Sequence, residues 1–374
     1  PSKGYRTLYF DKITAKPESP FILNGDKSLE TPFYKIELDE NALFSSIFDK
    51  ENDREVLKAG EKGNLLRMYE DKPIYYDNWD IDIFYTEKYW DALSVEKAEW
   101  IEIGEVRATL LVERKISNSF IRQKIHFYAD NRRIDFETYV DWKDNQHLLK
   151  VHFPVDIHSD EATFEIQFGN AVRKVHTNTS WDEARFESCA QKWMDFSEGH
   201  YGVALLNDCK YGHSIRDGVL GLTLIKSGIE PNPTTDQEEH FFTYALYPHA
   251  ESWRYSNVSE EAYNLNQPLK TVKKAMAEDV YSYANVDKKN VVIETIKKAE
   301  EGEGTVLRLF ERDNAKTTVK LLVDTKFTKA FTCDLLENEE DELKVEETVN
   351  AYGKKVKAVS LKLRPFEVYT VKFR

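Results

Sequence analysis

Along the middle of the chain, apolar and polar positions alternate with a period of two. Ala108, Leu110 and Val112 recur at every second position, as do Ile121, Ile125 and Phe127, with Arg122, Lys124 and His126 turned the other way. This is the period of a half-buried strand, whose successive side chains point to opposite faces. Asp130-Asn131 makes a turn. The next run then sets Ile134, Phe136, Thr138 and Val140 on one face against Asp135, Glu137 and Tyr139, and a further strand over 148–155 follows Asp144-Asn145. Strands joined by such short polar turns predict an antiparallel meander. Comparable runs at 203–206, 219–225, 241–246, 306–310, 319–323 and 366–373 extend it to large twisted sheets packed face to face.

Helical signals are few. Ser180-Trp181-Asp182-Glu183 resembles a capping box, and 184–193 fits either two or three helical turns or irregular strand. Ser259-Glu260-Glu261 predicts a short helix capped by Ser259, with acids in its first turn. Beyond about residue 280 the chain turns rich in Lys and Glu, with short strands between polar tips such as Glu301-Gly302-Glu303-Gly304 and Asp313-Asn314. The acidic run 337–342 fits a solvated hairpin tip better than a calcium site. The pattern predicts two domains, large antiparallel sheets packed face to face over 1–280 and a small β-sandwich over 281–374.

Composition narrows the partners. With 52 Lys+Arg against 66 Asp+Glu the net charge is −14, which repels phosphate backbones; with no basic stripe to offset it, nucleic acid is excluded as a default partner. No long uncharged apolar run occurs, so no membrane span is expected. Aromatics make up 13% of the chain, which suits pleated surfaces and sugar-facing clefts. Three widely spaced cysteines, Cys189, Cys209 and Cys333, form neither a disulfide framework nor a zinc knuckle and point to the cytoplasm. The opening Ser2-Lys3-Gly4-Tyr5, leading straight into β-prone Thr7-Leu8-Tyr9-Phe10, reads like the middle of a longer protein.

Signatures for nucleotide binding and for activated nucleophiles are missing: no P-loop, no Gly-x-Gly-x-x-Gly, no Gly-x-Ser-x-Gly. No His-x-x-x-His occurs, and His126, His147, His152 and His176 read as hydrogen-bonded structural residues. The most unusual stretch is 204–218, where an apolar strand runs into Asn207-Asp208-Cys209-Lys210-Tyr211-Gly212-His213-Ser214-Ile215-Arg216 and then returns to strand at Val219. Ordinary turn chemistry explains Asn-Asp after a strand; the density of planar donors, acceptors and an aromatic also suits hydroxyl recognition on a sugar. Two further aromatic-polar clusters lie at 75–82 and 176–186, the second allowing an internal Asp182–Arg185 ion pair.

Taken in chain order these clusters resemble the C-terminal β region of glycoside hydrolase family 38 α-mannosidases of bacterial and cytosolic type. The segments that carry the resemblance are Tyr76-Asp77-Asn78-Trp79-Asp80-Ile81, Val140-Asp141-Trp142, Leu148-Leu149-Lys150-Val151, His176-Thr177-Asn178-Thr179-Ser180-Trp181-Asp182, Gln191-Lys192-Trp193-Met194-Asp195, Leu205-Leu206-Asn207-Asp208 through Gly212 with Arg216, and Phe242-Thr243-Tyr244-Ala245-Leu246-Tyr247-Pro248-His249. The resemblance implies a galactose-mutarotase-like super-sandwich followed by a small β-sandwich. It also implies a parent enzyme that hydrolyses terminal α-linked mannose in oligosaccharides with retention, its zinc and aspartate nucleophile supplied by an N-terminal barrel followed by a helical bundle. The barrel's zinc motif, a His-x-Asp with a second cluster nearby, and its nucleophile segment are not found in this chain, so no cofactor and no catalytic residue is expected within it, and its partners would be that barrel and bundle. The family's pocket-rim arginine matches Arg216, with Asn207, Asp208 and Tyr211 shaping the substrate-binding loop and Asp208 holding Arg216. Two other functions stay open: a stand-alone carbohydrate-binding module, and a mutarotase-type epimerase.

Overall fold

Strands form where the period of two places them. Arg107–Ile116 pairs with Ser119–Tyr128, Leu110 standing opposite Ile125, and that strand pairs with Ile134–Asp141, Ile125 opposite Phe136. The computed structural model describes residues 2–9, 18–274, 276 and 278–374, and the chain divides into two compact units.

The larger unit, Pro17–Glu165 with Ala171–Leu269, is built on three antiparallel sheets. The nine-stranded sheet includes, in spatial order, Trp193–Glu198, Tyr201–Asn207, Glu239–Ala250, Ile134–Asp141, Ser119–Tyr128, Arg107–Ile116 and Ser94–Ile103. The six-stranded sheet runs Ser188–Cys189, Gly212–Arg216, Val219–Ser227, His147–Pro154, Leu65–Glu70, Tyr89–Asp91, and a five-stranded sheet is formed within 22–55. Alternate residues of all three meet in one core. Phe136 and Tyr244 of the nine-stranded sheet stack at 4.9 Å, and Phe153 of the six-stranded sheet packs 5.5 Å from Phe136. Each such side chain contributes about 1.5–3 kcal/mol on leaving water.

Two helices differ in detail from the sequence expectation. Helix α1, Ser180–Glu183, is a single turn capped by Thr179, which accepts from Asp182 N at 3.1 Å; the ambiguous stretch after it becomes the strands Ser188–Cys189 and Trp193–Glu198. Helix α2 spans Val258–Asn266, so Ser259 lies inside it and Asn257 holds the cap position without a side-chain bond. The start is fixed by packing. Val258 and Ala262, one turn apart, both enter an apolar cluster with Trp193, Leu206, Tyr247 and Trp253.

The smaller unit comprises Pro1–Lys16, Ile166–Asn170 and Lys270–Arg374. Its four- and five-stranded sheets close over a core that includes Leu307, Leu309, Leu321, Leu361, Val371 and Phe373. Gly4–Arg6 pairs with Val280–Ser282. The acidic run is part tip and part strand: Glu337-Asn338 lie in the turn, and Glu339–Leu343 pairs with Ala330–Cys333 at the edge of the five-stranded sheet. The turn itself is made by Asp334, whose carboxylate accepts from Leu336 N and Asn338 N, both at 2.9 Å. A row of exposed acids on an edge strand discourages edge-to-edge pairing. The strand expected from residue 366 begins at Val368, because Phe366 turns the chain with φ 56°.

Candidate functional site

Asp217-Gly218 joins the strands that carry Arg216 and Val219. Both turn residues have positive φ, 52° and 76°, which is the two-residue hairpin geometry that Asp-Gly favours. It sets Arg216 opposite Val219 at the end of its strand. Ile215 faces the core, so Ser214 and Arg216 face out. Arg216 Nη2 donates to Glu183 O at 2.8 Å, closing the last turn of α1, and its guanidinium lies 5.9 Å from the Phe186 ring. That bond uses one of five N–H donors. Arg216 lines a small cleft, about 30 Å³, with Arg173, His176, Asp182 and Arg185 among its walls. Asp182 is already committed there, accepting from Thr179 Oγ1 at 2.7 Å and Arg185 Nη1 at 3.3 Å; the ion pair expected from sequence is present.

Beside Arg216 on the same outer face lies a buried ion pair. Lys150 Nζ, with 1% of its side chain exposed, donates to Glu187 Oε1 at 2.5 Å and to Ser214 Oγ at 3.0 Å. Thr223 Oγ1 donates to the same carboxylate oxygen. Two glycines leave the room: a Cβ on Gly212 would stand 2.5 Å from Glu187 Oε2, and one on Gly221 2.6 Å from Ser214 Oγ. Burial works against charge on both partners, and their mutual attraction outweighs it, raising the Lys150 pKa and lowering that of Glu187. His152 Nε2 meets the Tyr69 hydroxyl at 2.9 Å; burial, then the Lys150 charge, pushes its pKa down to about 3.

Tyr85 covers this pair, its ring 5.8 Å from Lys150 Nζ and 6.3 Å from Phe186. It belongs to a segment held down by Asp77, whose Oδ1 accepts from Ile229 N at 2.9 Å and Glu230 N at 2.8 Å. Around that anchor the large side chains point outward. Ile74, Tyr75, Tyr76, Trp79 and Phe84 are all more than half exposed, and Trp181 on α1 is 81% exposed.

The other residues expected with Arg216 lie elsewhere. Asn207 is fully buried: its Nδ2 donates to Gln191 O at 2.8 Å and its Oδ1 accepts from Lys210 N at 2.7 Å, so it shapes the loop from within. Asp208 does not hold Arg216. It follows the strand Tyr201–Asn207 of the nine-stranded sheet, whereas Arg216 ends a strand of the six-stranded one, and its Oδ2 accepts from Thr243 N at 3.0 Å. Burial, then the Asp208 carboxylate, pushes the adjacent Cys209 thiol up to about 12. Tyr211 is half exposed, and its carbonyl accepts from Ala190 N at 3.1 Å. His213, buried beneath it, is pushed down to about 4 by desolvation. One polar stretch of sequence thus serves two sheets. Phe186 fell in the cluster at 176–186, but the Lys150–Glu187 pair was missed by sequence reasoning; the available signal was a lone cation inside Leu148-Leu149-Lys150-Val151.

Among the described residues, Asp236, Glu238 and His240 bring one donor atom each within 4.8 Å of one another. His240 Nε2 is bonded to Asp236 O at 2.8 Å. No helix among them is long and apolar enough to cross a membrane.

The architecture is all-β, large antiparallel sheets packed on one core followed by a small β-sandwich. It superimposes on an α-mannosidase from Enterococcus faecalis V583 with a TM-score of 0.74, at 16% identity, over 94% of this chain and 42% of that one. Residues 29–234 match the glycosyl hydrolases family 38 C-terminal domain, and 290–371 match the family 38 C-terminal beta sandwich domain. The chain belongs to glycosyl hydrolase family 38, as its C-terminal region. It is 34% identical over 365 residues to alpha-mannosidase G of Dictyostelium discoideum, and 35% identical over 334 residues to human alpha-mannosidase 2C1. These alignments cover 94% and 86% of this chain but 33% and 32% of the relatives, so the chain spans about a third of their length.

Proposed function

We propose that the chain is the noncatalytic C-terminal region of a zinc-dependent, retaining α-mannosidase that removes terminal α-linked mannose from oligosaccharides. The observation that carries this is the outward aromatic set of residues 74–84. An exposed apolar patch of that kind marks an interaction site. Its occupant in this proposal is the rest of the same protein, a catalytic barrel and helical bundle, since the relatives named as mannosidases are about three times as long. Zinc and the nucleophile come from that part. Asp182 is the one carboxylate in the Arg216 cleft and is bonded on both oxygens, whereas retaining hydrolysis requires two working carboxyl groups.

Arg216 then acts at the rim of the sugar pocket, its remaining N–H donors reaching substrate hydroxyls. Asn207 shapes the preceding loop from within, accepting from Lys210 N. The compartment proposed is the cytoplasm, in keeping with three unpaired cysteines. In the complete protein, Arg216→Ala should lower kcat/KM for an aryl α-mannoside by roughly tenfold or more. An unchanged kcat/KM rejects the rim role.

A further inference from the structure

The single turn α1 has no packing of its own to hold it. It has four residues, Ser180–Glu183, and none of them is buried. Two backbone bonds close it, Glu183 N to Thr179 O at 2.9 Å and Ala184 N to Ser180 O at 3.0 Å. A helix that short does not persist in water by itself, because the cost of nucleation is spread over too few bonds. Side chains therefore fix it. Thr179 does so twice: its hydroxyl oxygen accepts from Asp182 N at 3.1 Å, and the hydroxyl donates to Asp182 Oδ2 at 2.7 Å. Arg185 Nη1 donates to the other oxygen of Asp182 at 3.3 Å.

What the turn holds in place is Arg216. Glu183 O, at its end, takes the Arg216 Nη2 donor at 2.8 Å, and among the described residues it is the one hydrogen-bond partner of that side chain. Phe186, three positions on, sets its ring 5.9 Å from the same guanidinium. Glu187 then pins the far end of the segment to the buried Lys150. Residues 179–187 thus form a bridge fixed at both ends, with Arg216 anchored to its middle. A long side chain with one anchor spreads over its rotamers when that anchor moves. We propose that Thr179 is a positioning residue for Arg216: its two bonds to Asp182 keep α1 wound, and the wound turn aims the remaining guanidinium donors in one direction. Its effect on activity rests on the rim role proposed above for Arg216.

Two measurements test this. In the 374-residue chain, NMR relaxation of the Arg216 Nε–H should show a loss of order in Thr179→Val, which keeps the shape of the side chain and removes the hydroxyl. Thr179→Ser keeps the hydroxyl and should leave that order intact. In the complete protein, Thr179→Val should lower kcat/KM for an aryl α-mannoside by roughly threefold to tenfold. The loss should divide between kcat and KM as it does for Arg216→Ala, and Thr179→Ser should restore it. In an Arg216→Ala background, Thr179→Val should cost nothing further, because the group it positions is gone. Thr179 is exposed, so its variants fold, and melting curves verify this. An Arg216 Nε–H as ordered in Thr179→Val as in the unaltered chain overturns the proposal. So does a further loss of activity in the double variant, which would make Thr179 merely structural. If Arg216→Ala leaves kcat/KM unchanged, the rim role falls and the positioning proposal with it; if Arg216→Ala is impaired and Thr179→Val is not, the positioning proposal alone falls.

Discussion

On the outer face of the six-stranded sheet, Lys150 and Glu187 meet at 2.5 Å beneath Tyr85, with 1% and 21% of their side chains exposed. On the outer face of the nine-stranded sheet, Lys124 and Glu137 meet at 2.9 Å in the open, with 43% and 54% exposed. The chemistry of the two pairs is the same and their surroundings are not. Water screens the second, which is worth about 0–1 kcal/mol. The first is desolvated, fitted into space left by two glycines and bonded on several sides, so it fixes Phe186 and Ser214 and cannot be given up locally. The difference separates a face whose charges are locked in one arrangement from a face whose charges stay in water.

Removing one partner breaks that comparison most sharply. Glu187→Ala leaves a buried ammonium with no counter-charge and should cost about 3–5 kcal/mol in urea unfolding. A loss below about 1 kcal/mol would equate the two faces.

Acid provides the next effect. An unfolded histidine gains its proton as pH falls through 6.5, whereas His152 and His213 in the six-stranded sheet resist protonation down to about 3 and about 4. Across that interval the unfolded chain binds more protons. The stabilisation is therefore complete above 6.5 and lost as pH falls below it. Between about pH 7 and about pH 5 each histidine should remove about 2 kcal/mol of unfolding free energy. His152→Gln, which keeps an acceptor for the Tyr69 hydroxyl, should abolish its share of that slope. Glu137→Ala on the open face gives the smallest effect, within about 1 kcal/mol, and high salt should erase it.

Much of the scaffold was legible because period two is a local signal. Leu110, Ile125 and Phe136 could be assigned to one face without knowing their partners, and the register confirms them as neighbours. What escaped depends on distant partners. Lys150 looks like an outward strand residue until Glu187, 37 positions later in the chain, arrives over it. The 204–218 stretch read as one loop, yet its ends belong to different sheets, so Asp208 and Arg216 work apart. Ser259 had the better capping chemistry; the apolar contacts of Val258 outweighed it. Phe241-Phe242 held a signal that was not used, since two adjacent aromatics on a strand must face opposite sides and one of them was bound to be exposed.

The central claim is that this region braces and trims the edge of a sugar pocket whose bond-breaking groups lie elsewhere. It is tested most directly by assaying the purified 374-residue chain, supplied with zinc, on an aryl α-mannoside beside the complete protein that contains it. The account predicts turnover by the complete protein and none above background by the chain alone. Mannose release by the chain alone, at a rate that follows it through purification, would contradict it.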